Sequence, residues 1–328
     1  MKKVFLTGIT GLLGQYAARE LLNEGFIVTG LVRNPSGYNG LQHPNLTLVQ
    51  GDLFDDLTDT LSLSDIVVHA AAETRQNLLY FSDYERVNFK ATRLLYLTAR
   101  KCGLECFVFI STANTMGYGN TRHPVAEGEP IRPPFNKSMY ALSKYKAEQY
   151  LLQQDKQMKV IILNPTFILG AGEKKSGSGR IIWYGLNKRL VIHPPGGKNF
   201  VHASDVAKAI CKSIHCGQSH NQYLIAGENL KYRDFFALLK RVNNQKTMLI
   251  QLPAVLMIMI GFAGELLRMA GVRTELGWCN MRILCVTNCY INNKSVVELG
   301  MAYQPVAAAI QDYLTLRTKP QPHNSNQA

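Results

Sequence analysis

Short apolar runs alternate along this chain with stretches where apolar residues recur every three or four positions, and glycine or polar residues separate the two. The first run, Val4-Phe5-Leu6, passes into Thr7-Gly8-Ile9-Thr10-Gly11-Leu12-Leu13-Gly14, and Tyr16 to Leu22 then has the pattern of an amphipathic helix. This predicts a strand, a glycine turn and a helix. Further apolar runs predict strands at Phe26–Val32, Leu46–Gln50, Asp65–Ala72 and Cys106–Ile110. Helical periodicity covers about 81–102 and again about 138–153. Strands that alternate with helices of this length predict an α/β fold built on a doubly wound parallel sheet of Rossmann type.

The glycine turn is the first candidate for chemistry. A strand-to-helix turn aims backbone N–H groups and the positive end of a helix at one spot, which suits a pyrophosphate. Gly8 would permit the tight turn, Gly11 the approach of phosphates to backbone, with Leu12 and Leu13 beside it, and Gly14 close packing of helix on strand. The second strand ends at Arg33-Asn34-Pro35, where a dinucleotide fold places the adenosine ribose. An acid there would bond a 2′-hydroxyl, whereas an arginine accepts a 2′-phosphate, so Arg33 points to NADP over NAD. Gly51-Asp52-Leu53 after the third strand would flank the adenine, and Ala70 and Ala71 are small enough for a flat cofactor to lie against backbone. His69 reads as a packed strand-end residue, and Arg33 read blandly is a solvated loop cation.

Ligands bind at the carboxyl ends of parallel strands. Ser111-Thr112 ends the fifth strand, and Tyr140-Ala-Leu-Ser-Lys144 lies in the following helix, Tyr and Lys sharing one face. All these side chains can converge on one substrate atom.

At this point the chain resembles the extended short-chain dehydrogenase/reductase family, in its NAD-dependent epimerase/dehydratase branch. The matching stretches are Thr7-Gly8-x-x-Gly11-x-x-Gly14, Gly51-Asp52-Leu53, His69-Ala-Ala, Val87-Asn88, Ser111-Thr112, Tyr140-x-x-x-Lys144, Asn164-Pro165-Thr166 and Val201-His202-x-x-Asp205-Val206-Ala207, over about residues 1–316. The resemblance implies that Tyr140 is the general acid or base at a carbonyl/alcohol and that Lys144 helps lower the tyrosine's pKa and bonds the nicotinamide ribose. It implies that Thr112, with Ser111 as second candidate, holds the substrate oxygen, and that Pro165 borders the cofactor. Dehydratases of this branch carry an acid pair after the Ser/Thr; Ala113-Asn114 here disfavours water loss. Dihydroflavonol reductases and 3β-hydroxysteroid dehydrogenases are the group most like this chain. The expected activity is hydride transfer between NADP and a fairly apolar small molecule. A sugar-nucleotide epimerase retaining NAD and a non-catalytic nucleotide-binding regulator are the alternatives.

The second half reads as the substrate side. Residues 1–164 plus about 199–226 are assigned to the nucleotide-binding domain. About 165–198 and 227–316 form a smaller, discontinuous substrate part, and 317–328 a disordered tail. Asn164–Gly170 reads as a strand leaving the first domain, Gly172–Gly179 with Lys174 and Lys175 as a basic loop or lid, and His202 and Asp205 as ties between the two parts. Leu249–Ala263 is the most apolar stretch, too short and proline-interrupted to span a bilayer. It predicts a helix lining an apolar pocket, with an interfacial membrane helix as the rival.

Composition narrows the class without naming a partner. At 328 residues and 46% hydrophobic the chain has ample length for a core in one or two domains. Seven cysteines without a C-x-x-C pair read as scattered thiols, and Cys211, His215, Cys216 and His220 are poorly spaced for zinc, so no metal is expected. The net charge of +13 favours anionic partners, but no nucleic-acid motif accompanies it. Without a leader pattern the expected place is the cytoplasm, with peripheral membrane contact and a homodimer both left open.

Overall fold

A computed structural model describes residues 1–172 and 179–318 of the chain. In chain order the first half runs β1 (Lys3–Thr7), α1 (Leu12–Asn23), β2 (Ile27–Val32), β3 (Leu46–Gln50), α2 (Thr58–Ser62), β4 (Ile66–His69), α3 (Phe81–Glu85), α4 (Thr92–Lys101), β5 (Cys106–Ile110) and α5 (Met139–Leu152). The second half runs β6 (Lys159–Pro165), β7 (Phe167–Leu169), α6 (Arg180–Gly185), β8 (Leu190–His193), β9 (Gly197–His202), α7 (Ala203–Cys216), β10 (Asn221–Ile225), β11 (Glu228–Lys231), α8 (Tyr232–Val242), β12 (Met248–Gln251), α9 (Ala254–Met269), α10 (Trp278–Cys285), α11 (Asn293–Leu299) and α12 (Val306–Thr318).

Seven strands form one parallel sheet in the order β3-β2-β1-β4-β5-β6-β10. The chain winds outward from β1 in one direction and then from β4 in the other, so the order reverses between β1 and β4. That is the switch point where an open α/β sheet binds its ligand. Both faces are covered. Val4, Leu6 and Ile161 pack under α1 and α7, while Phe5, Phe107 and Ile162 pack under α4 and α5. Double burial explains why these strands read as continuous apolar runs without alternation.

Some expected boundaries move. β4 ends at His69, leaving Ala70–Ala72 beyond the strand. The expected single strand over Asn164–Gly170 is split: β6 stays in the main sheet as far as Pro165, and β7 pairs instead with β9. The long helix over about 81–102 is interrupted by a π-helical turn at Arg86–Ala91. The extra residue turns Asn88 inward, where its amide bridges Glu73 backbone and the Ser143 hydroxyl. Residues 173–178, with Lys174 and Lys175 of the expected loop, and the tail 319–328 lie outside the described residues; α12 is helical to Thr318.

A second core gathers Phe200, Phe235, Phe236 and Ile310 around the three-stranded β11-β9-β7 sheet, α8 and α12. His202 meets Asp312 of α12 at 3.2 Å, and Asp205 accepts from the Gln304 backbone N–H at 2.8 Å and its amide at 3.0 Å. These contacts fasten α7, which packs on α1, to the C-terminal helix.

The glycine turn sets a steric test. A Cβ at Gly14 would lie 2.0 Å from the Gly8 carbonyl oxygen, whereas one at Gly11 would reach it only at 3.4 Å. We expect Gly14→Ala to destabilise the fold by about 2 kcal/mol or more and to lower the melting temperature by several degrees. Gly11→Ala should melt close to the wild type by calorimetry.

Candidate active site

The loop from β1 to α1 is shaped for a diphosphate. Gly8 adopts φ +76°, and a Cβ there would fall 2.6 Å from the Ala71 nitrogen, so the turn rests directly on Ala70–Ala71. Thr7 anchors that contact from below. Its hydroxyl accepts from the Ala71 N–H at 3.2 Å and meets His69 Nδ1 at 2.7 Å. Helix α1 starts at Leu12 with no side-chain cap and no acid in its first turn. The N–H groups of Leu12, Leu13 and Gly14 are thereby directed at the mouth of the turn, where an anion would complete them. A dinucleotide's phosphates fit this cradle, and the two alanines leave flat backbone beside it. Arg33 is exposed at the end of β2, and Asp52 closes a local turn by accepting from Phe54 N–H, with Leu53 between them. Pro165 is buried at the end of β6.

Across the switch point, β5 and α5 bring the reacting groups together. Thr112 and Tyr140 are near enough for a hydrogen bond between their hydroxyls. Burial pushes the Tyr140 phenol up to about 12, with the Thr112 bond acting in the opposite sense and the Glu148 charge adding to the rise. The protein's own groups therefore hold the proton on Tyr140. Lys144 is buried, donates to the Ile110 carbonyl at 2.7 Å and lies over the Phe109 ring. Burial draws its ammonium well below the ordinary lysine range, against the pull of Glu148.

The two hydroxyls at the end of β5 part company. Thr112 faces Tyr140, whereas Ser111 is turned toward the Glu148 carboxyl without a well-formed bond of its own. His69 is buried, its Nε2 meets Thr92 at 3.0 Å, and desolvation lowers its pKa to about 3, so it packs as a neutral ring.

Glu148, which sequence reasoning passed over, completes the site together with Asn164 and Asn88, which it named only within matching stretches. Glu148, one turn beyond Lys144, accepts from Thr115 at 2.8 Å and from Asn164 at 2.6 Å, and Gln222 reaches its other oxygen at 3.2 Å. Asn164 also bonds the Thr112 carbonyl at 3.2 Å, so the end of β5 is held from β6 and α5 at once. Asn88 ties the loop after β4 to α5 through Ser143. The i, i+4, i+8 spacing of Tyr140, Lys144 and Glu148 puts all three on one helix face and was the available signal. Among the described residues, no three histidine, cysteine or acidic side chains are grouped to hold a metal, Cys211, His215, Cys216 and His220 included.

The chain is similar to several known proteins. A sterol-4-alpha-carboxylate 3-dehydrogenase (decarboxylating) of Dictyostelium discoideum is 31% identical over 251 residues, covering 72% of this chain and 75% of that protein. A Synechocystis protein assigned provisionally as a dihydroflavonol 4-reductase is 27% identical over 321 residues, covering 94% of this chain and 92% of its own. The crystal structure of gox2253 superposes with a TM-score of 0.83 at 26% identity, over 96% of this chain and 98% of that one. The family model of the NAD dependent epimerase/dehydratase family matches residues 4–226. On these matches the chain belongs to that family within the extended short-chain dehydrogenase/reductases and is an NAD-dependent type of oxidoreductase.

Proposed function

We propose that this enzyme transfers hydride between NADP and a carbonyl/alcohol of a fairly apolar small molecule, with Tyr140 as acid/base. The observation that carries the reading is the approach of the Thr112 and Tyr140 hydroxyls at the end of β5, the strand next to β4, whose following residues Ala70 and Ala71 support the glycine turn. When bound, the nicotinamide would supply or accept the hydride. Thr112 would orient the substrate oxygen by hydrogen bonding, and Tyr140 would deliver its proton to that oxygen as the carbonyl is reduced. A phenol held protonated by burial favours this direction at neutral pH. Oxidation of the alcohol asks Tyr140 to start as phenolate, so its rate should climb through the alkaline range. Lys144 would bond the nicotinamide ribose, Gly8 to Gly14 the diphosphate, Ala70, Ala71 and Pro165 would border the rings, and Arg33 would meet the 2′-phosphate. The Dictyostelium relative acts, by its name, on a sterol carboxylate, which supports an apolar substrate here. Residues 1–164 with about 199–226 would hold the cofactor, and the parts around β7 to β9 and beyond β10 would hold the substrate.

A sugar-nucleotide reading has one observation in its favour. A groove lined by Tyr118, Asn120, His123, Glu129 and Arg132 is polar enough for hydroxyls and phosphates. A screen of carbonyls from steroids to sugar nucleotides, followed by NADPH absorbance, separates the readings.

Three outcomes test the assignment. Tyr140→Phe should lower turnover by about 10²–10⁴-fold with NADPH affinity kept, whereas Lys144→Ala should lower both. Because Ser111 faces away, Thr112→Ala should not be rescued by it, while Thr112→Ser should stay close to wild type; wild-type turnover in Tyr140→Phe would sink the mechanism. By calorimetric titration the protein should bind NADP(H) about 10- to 100-fold more tightly than NAD(H), and Arg33→Ala should remove most of that margin. Equal affinities in the wild type would contradict it.

The third outcome concerns charge. Glu148 raises the pKa of Lys144, so Glu148→Gln should let the lysine lose its proton at lower pH. NADPH affinity measured across pH should then begin its alkaline fall earlier than in the wild type. An unchanged profile would separate Glu148 from Lys144.

A further inference from the structure

Helix α9 was expected to bury its apolar side in a substrate pocket, and it does not. Among its residues only Met257, Gly261 and Gly264 are buried, on the narrow face that meets α10. A Cβ at Gly264 would fall 2.1 Å from the Leu276 carbonyl oxygen, so the glycines bring the two helices close along that line. Much of the rest of the helix is exposed. Val255, Met259, Phe262, Leu266 and Met269 are 70%, 63%, 60%, 54% and 81% exposed. They recur at alternating intervals of four and three, which places them in one stripe.

A second apolar surface lies on the strand pair that leads into the helix. In the two-stranded β8-β12 sheet, the register pairs Leu190 with Met248 and Ile192 with Ile250, and all four are exposed. Trp183, Tyr184 and Lys188 line one shallow depression together with Leu190 and Ile192. Leu252-Pro253 leads from β12 straight into α9. An exposed apolar area of this extent on a monomer marks an interaction surface.

Charge says what kind. No aspartate or glutamate occurs from 181 to 204 or from 235 to 264. Lys188, Arg189, Lys240, Arg241 and Lys246 lie in those stretches, all exposed. A second copy docked symmetrically on this surface would set cations against cations, which opposes association. An anionic bilayer complements them, and Trp and Tyr beside aliphatic residues suit the headgroup boundary.

We propose that α9 and the exposed face of the β8-β12 sheet dock on an anionic lipid bilayer, apolar stripe in the acyl boundary and basic residues among the headgroups. The protein would lie on the membrane without crossing it. Among the described residues no helix is long and apolar enough to cross. The far end of α9 adjoins the site: Arg268 donates to the Leu78 carbonyl at 2.7 Å and Asn280 of α10 to that of Gln76 at 3.0 Å, in the loop that follows Ala70–Ala71. An apolar substrate could thus be drawn from the lipid beside the mouth. The surface argument stands on its own, whatever the reaction proves to be.

Flotation of the full chain with vesicles of phosphatidylcholine, alone or mixed with phosphatidylserine, tests the proposal. Partition should be at least about tenfold stronger onto the mixed vesicles at low salt and weaken as salt rises. In Trp278→Phe, which leaves Trp183 as the sole tryptophan of the two in the chain, emission should shift to the blue on binding. Met259→Ser with Phe262→Ser should cut partition about tenfold while melting and NADPH binding stay unchanged, since both positions are exposed; Met259→Ser alone serves if the pair fails to fold. Protein that remains free of all vesicles would overturn the proposal, as would variants that float like the wild type. A wild-type dimer in light scattering that these variants convert to monomer would assign the surface to a second copy instead.

Discussion

The Glu148 carboxyl sits inside the protein, 1% exposed, with Thr115 and Asn164 donating to one of its oxygens and Gln222 to the other. Removing a carboxylate from water is costly, and hydrogen bonds to a charged group return about 1.5–3 kcal/mol each only while their geometry holds. The partners come from the loop after β5, from the carboxyl end of β6 and from the start of β10, so three neighbouring strands are bound to α5 through one side chain. Asn164 passes the constraint on to the Thr112 carbonyl, and α5 passes it to Tyr140. The reacting hydroxyls are placed by this network, which also explains why Ser111 is drawn inward and away from them.

The same group sets the electrostatics around it. Lys144 is buried with its ammonium on the Ile110 carbonyl and the Phe109 ring, and Glu148 pulls against the burial that draws its pKa down. Burial acts against the charge on both, raising the carboxyl and lowering the ammonium. Tyr140 has no such compensation and keeps its proton. A donor that is protonated, beside a cation that needs a partner, suits a site completed by an anionic dinucleotide. The uncapped start of α1 on the other side of the switch point makes the same demand.

Outside the main sheet the chain follows a different economy. The β11-β9-β7 core is closed by aromatic packing, including Phe200 stacked on Phe235 at 4.7 Å. By contrast α9 and the β8-β12 pair leave large apolar side chains in water. Stability alone would select polar residues there. Their retention beside a run without acids is a cost that association can offset.

Local pattern decided the first half of the molecule. Strands buried on both faces need unbroken apolar runs, and a glycine turn joining strand to helix needs Gly8 where φ is positive and Gly14 where backbones nearly touch, so β1, β5 and the cradle were legible from residues alone. Tyr140 and Lys144 were legible because helical spacing fixes a shared face. Glu148 stands on that face too, but a single acid in a helix reads as solvated until the packing of β5, β6 and β10 removes the water. The split of β6 from β7, the inward turn of Asn88 and the parting of Ser111 from Thr112 were likewise settled by partners distant in the chain. So was the outward face of α9: its periodicity announced an apolar stripe, but whether protein, lipid or water meets it depends on which neighbours the tertiary fold brings, and the fold brings α10 to one narrow side only.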